Sequence, residues 1–204
     1  MRSLLLIRIA AWTAAATIGS VVIGLTVLAP DAPGIATNIV SSGPSAIGGP
    51  FTLTSHHGET VSNESLAGKP YLAFFGFTHC PDICPTTLFE LTDLARELDE
   101  YADRLNVLFI TVDPERDTQE LLQGYMTSFD RRFLAVRGTQ AQTDAVVAAF
   151  AAHVQKVPLE SGGYTMDHTA GVYMIDAEGG FVGTLDMHEP RETRMRKLRR
   201  LTGA

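Results

Sequence analysis

Residues 71–88 read YLAFFGFTHCPDICPTTL, and they decide the fold. Tyr71 to Phe77 is a run of apolar residues and one glycine with no polar alternation, the pattern of a strand covered on both faces. Beyond Cys84-Pro85 the apolar side chains Leu88, Leu91, Leu94, Leu98 and Tyr101 return every three or four residues, which lays one buried stripe along a helix. Pro85 suits a first helical turn, because the amide it lacks has no helical partner there. A buried strand running straight into an amphipathic helix is the start of an α/β sheet. In such sheets the functional site lies outside the carboxyl end of a strand, at the start of the next helix.

The rest of the chain extends this unit. Phe51–Thr54 and Thr60-Val61 read as a short hairpin about a polar turn closed by Gly58, which leaves His56 and His57 solvated. Asn106–Val112 repeats the buried-strand pattern and ends at Asp113-Pro114. Asp117–Phe129 reads as a helix, with Asp117 available to cap it. Phe133–Val136 follows as a strand and Ala141–His153 as an alanine-rich helix. Ala170–Ile175 and Phe181–Leu185 form two strands about Glu178-Gly179-Gly180, and a last helix closes the chain. The fold class is therefore α/β, with a central mixed β-sheet flanked by helices.

The chain has 204 residues and a formal net charge of −7. With 45% hydrophobic and 19% charged residues it is neither a disordered chain nor a multi-span membrane protein. The acidic balance argues against broad nucleic-acid binding, which needs a basic surface. Charge is unevenly placed. Residues 1–30 carry only Arg2 and Arg8, residues 31–188 hold 8 basic against 21 acidic side chains, and residues 189–204 hold 6 against 2.

From Ile9 to Ala29 no residue is charged, and as a helix that stretch would span about 30 Å, a bilayer thickness. Arg2 and Arg8 before it and Asp31 after it keep the N-terminus cytoplasmic and export the rest. Residues 1–30 thus read as a single-pass anchor. A cleaved signal peptide is the competing reading, left open by the Ala14–Ala16 run. Residues 31–48, rich in Gly, Pro, Ser and Ala, read as a flexible linker, and residues 49–204 as one domain.

The chemistry is expected in Phe77-Thr78-His79-Cys80-Pro81-Asp82-Ile83-Cys84-Pro85. On helical geometry Cys80 and Cys84 would share a face with their Cα atoms roughly 6.2 Å apart. That lies inside the disulfide range but beyond its commonest value, so a bond there should be somewhat strained and reducible. Amides at a helix start would also favour the thiolate, which attacks disulfides and binds metals. Two thiolates alone are an incomplete metal site. Of the six histidines, His168, just ahead of an expected strand, is the best placed third ligand. Two soft sulfurs with one imidazole favour Cu(I), whereas structural zinc would want a fourth ligand. A static disulfide between two inert cysteines is the plainer alternative.

Three ordered motifs carry a family resemblance: Phe75–Thr87, then Val112-Asp113-Pro114-Glu115-Arg116-Asp117-Thr118, then Tyr164-Thr165-Met166-Asp167-His168-Thr169. Together they resemble the Sco/SenC copper proteins over about residues 49–201. The resemblance implies a thioredoxin-like fold, an N-terminal membrane anchor and a periplasmic domain on the inner membrane. It implies Cys80, Cys84 and His168 as ligands of a copper ion, Cu(I) and also Cu(II). The function implied is copper delivery to the dinuclear centre of cytochrome c oxidase subunit II, with a periplasmic copper donor and a thiol reductant as further partners. Asp113 and Asp117 would be structural or partner-facing, Asp167 would orient His168, and Asp113 is a further candidate to support the ligands from behind.

Two rival functions use the same residues. In a thiol–disulfide oxidoreductase, Cys80 attacks a partner disulfide and Cys84 resolves the mixed disulfide. In a redox or copper sensor the site would control binding to a signalling partner. Nothing in the sequence demands more than a monomer. The basic tail, Arg191 to Arg200, reads either as a lipid-facing patch or as a solvated helix face with Met195 and Leu198 turned inward.

Overall fold

The apolar run at 71–77 supplies an interior strand of a seven-stranded sheet, next to its middle strand. The structure, a computed structural model, describes residues 47–204, so the expected anchor and nearly all of the expected linker lie outside it. Strand β3 (Tyr71–Gly76) is buried at every residue. It pairs in parallel with β4 (Asn106–Thr111), from Tyr71 opposite Asn106 to Gly76 opposite Thr111. β4 pairs in parallel with β5 (Phe133–Arg137), and β3 pairs antiparallel with β8 (Val172–Ile175). With β1 (Thr52–Ser55), β2 (Thr60–Ser62) and β9 (Phe181–Leu185) the order is β2-β1-β5-β4-β3-β8-β9. Continuous apolar strands thus sit at the parallel centre, and β1, near an edge, alternates exposed and buried residues. This is the mixed α/β architecture expected of a thioredoxin-like fold.

Helix α1 (Ile83–Leu98) buries Cys84, Leu88, Leu91, Leu94 and Leu98, the stripe read from the sequence together with one cysteine. It stops at Asp99, whose φ of +54° is left-handed, and a 3-10 helix (Asp99–Arg104) carries Tyr101. Helix α2 (Gln119–Met126) is capped by Thr118, whose hydroxyl accepts the Leu121 N–H. Asp117, expected as the cap, is turned inward instead because buried hydroxyls claim its carboxylate. Helix α3 (Gln140–Ala149) opens on a reciprocal Thr139–Gln142 capping box and ends four residues before His153, the end expected from sequence. Helix α4 (Arg191–Thr202) buries Met195 and Leu198, while Arg191, Arg194 and Lys197 pair with Glu97, Glu90 and Glu189.

A second, two-stranded sheet was not expected. It joins β6 (Val154–Pro158) to β7 (Tyr164–His168) through a turn in which Gly162 and Gly163 both take positive φ. His56 is also corrected: it is buried, and its Nδ1 accepts the Ala135 N–H at 3.2 Å. Its backbone N–H donates in turn to the Ala135 carbonyl at 2.8 Å, so His56 carries the contact with β5 one residue past the end of β1. Among the described residues no helix is long and apolar enough to cross a membrane.

Candidate metal centre

Cys84 lies in the first turn of α1 with no exposed surface. Its sulfur comes close to β3 because residue 76 is glycine: a Cβ there would stand 2.8 Å from the Cys84 sulfur and 2.5 Å from the Phe109 ring. Gly76 was not singled out from the sequence. The signal was available, since a lone glycine in a buried strand marks a close approach.

Cys80 stands outside the helix, in the turn after β3, so the helical pairing assumed from sequence does not apply. Its amide donates to the Phe77 carbonyl, and its sulfur accepts the Cys84 N–H at 3.4 Å. That contact satisfies one of the amides a helix start leaves without a partner. Both cysteines are free thiols, Cys80 partly exposed and Cys84 buried. The expected lowering of the thiol pKa is reversed at Cys84. Burial pushes it well above the ordinary thiol range, against a Phe77 backbone hydrogen bond, and the neighbouring Cys80 sulfur and Asp117 carboxylate add to the rise.

His168 ends β7 and faces the cysteines, its Nε2 lying 3.5 Å from the Cys84 sulfur. Its Nδ1 lies 3.1 Å from the Thr169 carbonyl. A carbonyl can only accept, so Nδ1 is the donor in that contact, which leaves Nε2 as the ring nitrogen turned toward the sulfurs. Phe77 and Phe74 meet the imidazole edge-on, with centroids 5.8 and 6.3 Å away. Ligand atoms of Cys80, Cys84 and His168 all lie within 4.8 Å of one another. Two sulfurs and an imidazole at this spacing can close on one soft metal ion.

The carboxylates around this triad are placed differently from one another. Asp117 has no exposed surface and accepts hydrogen bonds from the Thr78 amide at 3.1 Å, the Thr78 hydroxyl at 2.6 Å and the Thr111 hydroxyl at 2.5 Å. It thereby ties the Thr78–Cys80 turn to the end of β4. Asp113, also buried, accepts from the Tyr164 hydroxyl at 2.9 Å and from the Arg116 guanidinium. Neither faces outward toward a partner.

Asp167 is a correction. It is 65% exposed and its carboxylate lies 3.6 Å from His153, not against His168. Neighbouring residues of a strand point to opposite faces, so Asp167 and His168 cannot share one. The group that orients His168 is the Thr169 carbonyl. His79 is half exposed beside Thr78, and His188 pairs with Asp186 at the surface, so neither joins the triad.

Comparison with known proteins fits this geometry. A family model described as SCO1/SenC matches residues 40–203. The chain belongs to that family. It is 37% identical over 139 residues to the mitochondrial SCO1 homolog of Homo sapiens, covering 67% of this chain and 46% of that protein. It is likewise 37% identical over 138 residues to an SCO2-like protein of Rickettsia prowazekii, covering 67% of each. The chain thus spans about half the length of the human relative and two thirds of the bacterial one.

Among solved structures, Bradyrhizobium japonicum ScoI with copper bound is 44% identical at a TM-score of 0.72, covering 76% of this chain and 99% of that one. Yeast Sco1 with copper bound is 31% identical at 0.71, covering 78% and 89%.

Proposed function

We propose that this chain is a copper chaperone for cytochrome c oxidase. Cys80, Cys84 and His168 hold one copper ion and pass it to the dinuclear centre of subunit II by ligand exchange. The observation that carries this reading is the convergence of two sulfurs and one imidazole, oriented by the Thr169 carbonyl, within 4.8 Å, in a family whose solved members include copper-bound proteins. Thiolate donors suit Cu(I), and the imidazole lets the same set hold Cu(II). Because Cys84 is buried and protonated at neutral pH, copper must displace its proton on binding.

Residues 1–30 serve as a single inner-membrane span in this reading, and residues 31–48 as the tether of a periplasmic, monomeric domain. A periplasmic donor loads the site, and a thiol reductant keeps it open, because a disulfide cannot bind the metal.

A second reading has its own observation. Cys80 is accessible while Cys84 is buried behind it, the asymmetry of an attacking and a resolving thiol, and such a pair would reduce the recipient's cysteines. A recipient fragment of subunit II supplied with its cysteines already reduced separates the two. The chaperone reading expects the copper-loaded protein to hand its metal to that fragment, leaving one copper fewer on the donor. A protein that transfers no copper to the reduced fragment, yet reduces the oxidised one, would be a reductase.

A further inference from the structure

The β6–β7 hairpin, whose last residue is His168, forms its own two-stranded sheet and shares no strand pairing with the main one. Something else must fix the imidazole against the cysteines. Val154 and Met166 supply part of the contact by packing on the core. The polar part comes from one short loop between β4 and α2, residues 113–117.

Arg116 in that loop is 25% exposed, and its Nη1 donates to the Tyr164 carbonyl at 3.0 Å. Its guanidinium lies 3.8 Å from the centroid of the Tyr164 ring, and its Nε donates to Asp113. The Tyr164 hydroxyl returns to the same Asp113 carboxylate at 2.9 Å. At the flank, Lys156 of β6 pairs with Glu115 at 2.7 Å and lies 3.8 Å from the Tyr164 ring centroid.

We infer that Arg116 is a positioning residue for His168, clamping the hairpin to the β4–α2 loop through Tyr164. Two routes connect them. Along β7, residues 164, 166 and 168 lie on one face, so fixing Tyr164 fixes the strand that ends in His168. Through the core, the guanidinium lies 5.8 Å from the Phe77 ring, which itself meets the His168 imidazole at 5.8 Å. Arginine suits this place because a flat, forked cation can bond a carboxylate and a carbonyl while stacking on a ring. The inference rests on His168 being a copper ligand.

The test is a double-mutant cycle in the full-length protein, with Cu(I) affinity read by chelator competition and backbone amide hydrogen exchange measured on the metal-free form. Arg116→Met should weaken copper binding about tenfold, the scale for groups that orient a ligand. In a His168→Ala background it should add nothing. In the metal-free protein, exchange should quicken at 154–168 while β3 and β4 hold. An unchanged affinity, the same tenfold loss in both backgrounds, or a hairpin with unchanged exchange would overturn the clamp. If His168→Ala itself binds copper as the native protein does, the ligand assignment fails, and the exchange measurement alone then decides whether Arg116 holds the hairpin. Should Arg116→Met not fold, Tyr164→Phe removes only the hydroxyl, with its bond to Asp113 and its longer contact to Glu115 at 3.5 Å, and should show the same pattern at smaller size.

Discussion

Cys80 and Cys84 bracket the turn into α1, and the two thiols differ in access. Cys80 is partly exposed, whereas Cys84 has no exposed surface and a pKa raised by burial. Thiolate is the reactive form, so with a limiting alkylating agent at pH 7 on the reduced, metal-free protein the label should appear on Cys80. Labelling of Cys84 should become appreciable only as pH rises past the ordinary thiol range, since a raised pKa keeps the proton on through neutrality. Mass spectrometry of the digested protein reads both sites, and equal labelling at pH 7 would contradict the buried environment. Gly76 sets that environment, for any side chain there would press on the Cys84 sulfur. Reactivity thus depends on a residue with no chemistry of its own.

Among the elements, α1, β3 and β4 were legible in the sequence because each obeys one period: a stripe every three to four residues for the helix, unbroken apolar runs for the strands. Their meeting point, with both cysteines, followed from the order strand, turn, helix. The β6–β7 hairpin was not legible. Its strands are mostly exposed or half-buried, so neither period appears, and only the Gly162-Gly163 turn announced it. Missing it hid how His168 is carried and made Asp167 look like its neighbour in function. The cap of α2 was misread for a different reason. Asp117 and Thr118 are both good caps by type, and the choice falls to tertiary contacts that bury Asp117. Thr118→Ala should therefore cost about 1 kcal/mol in denaturant unfolding, the usual value of a lost cap. A change near zero would show that the Thr118 hydroxyl does not hold the helix start.

At the scale of the molecule, the sheet brings together residues far apart in sequence. β3 delivers the cysteine turn, β4 delivers the loop holding Asp113, Arg116 and Asp117, and the hairpin delivers His168 to the same end. The basic C-terminal helix is a packed element, with Arg194 nearly buried against α1 and Met195 and Leu198 in the core. Among the described residues, Cys80, Cys84 and His168 are the group of side chains spaced to hold a metal ion. In the proposed function these three side chains act as one ligand set. Cu(I) stoichiometry and affinity of the reduced protein, read beside Cys80→Ser, Cys84→Ser and His168→Ala, put this to the test. One copper per chain is expected, with each variant losing roughly 100-fold or more in affinity, beyond the loss set for a merely orienting group. Native affinity in the His168→Ala variant would contradict the account and leave Cys80 and Cys84 as a thiol–disulfide couple.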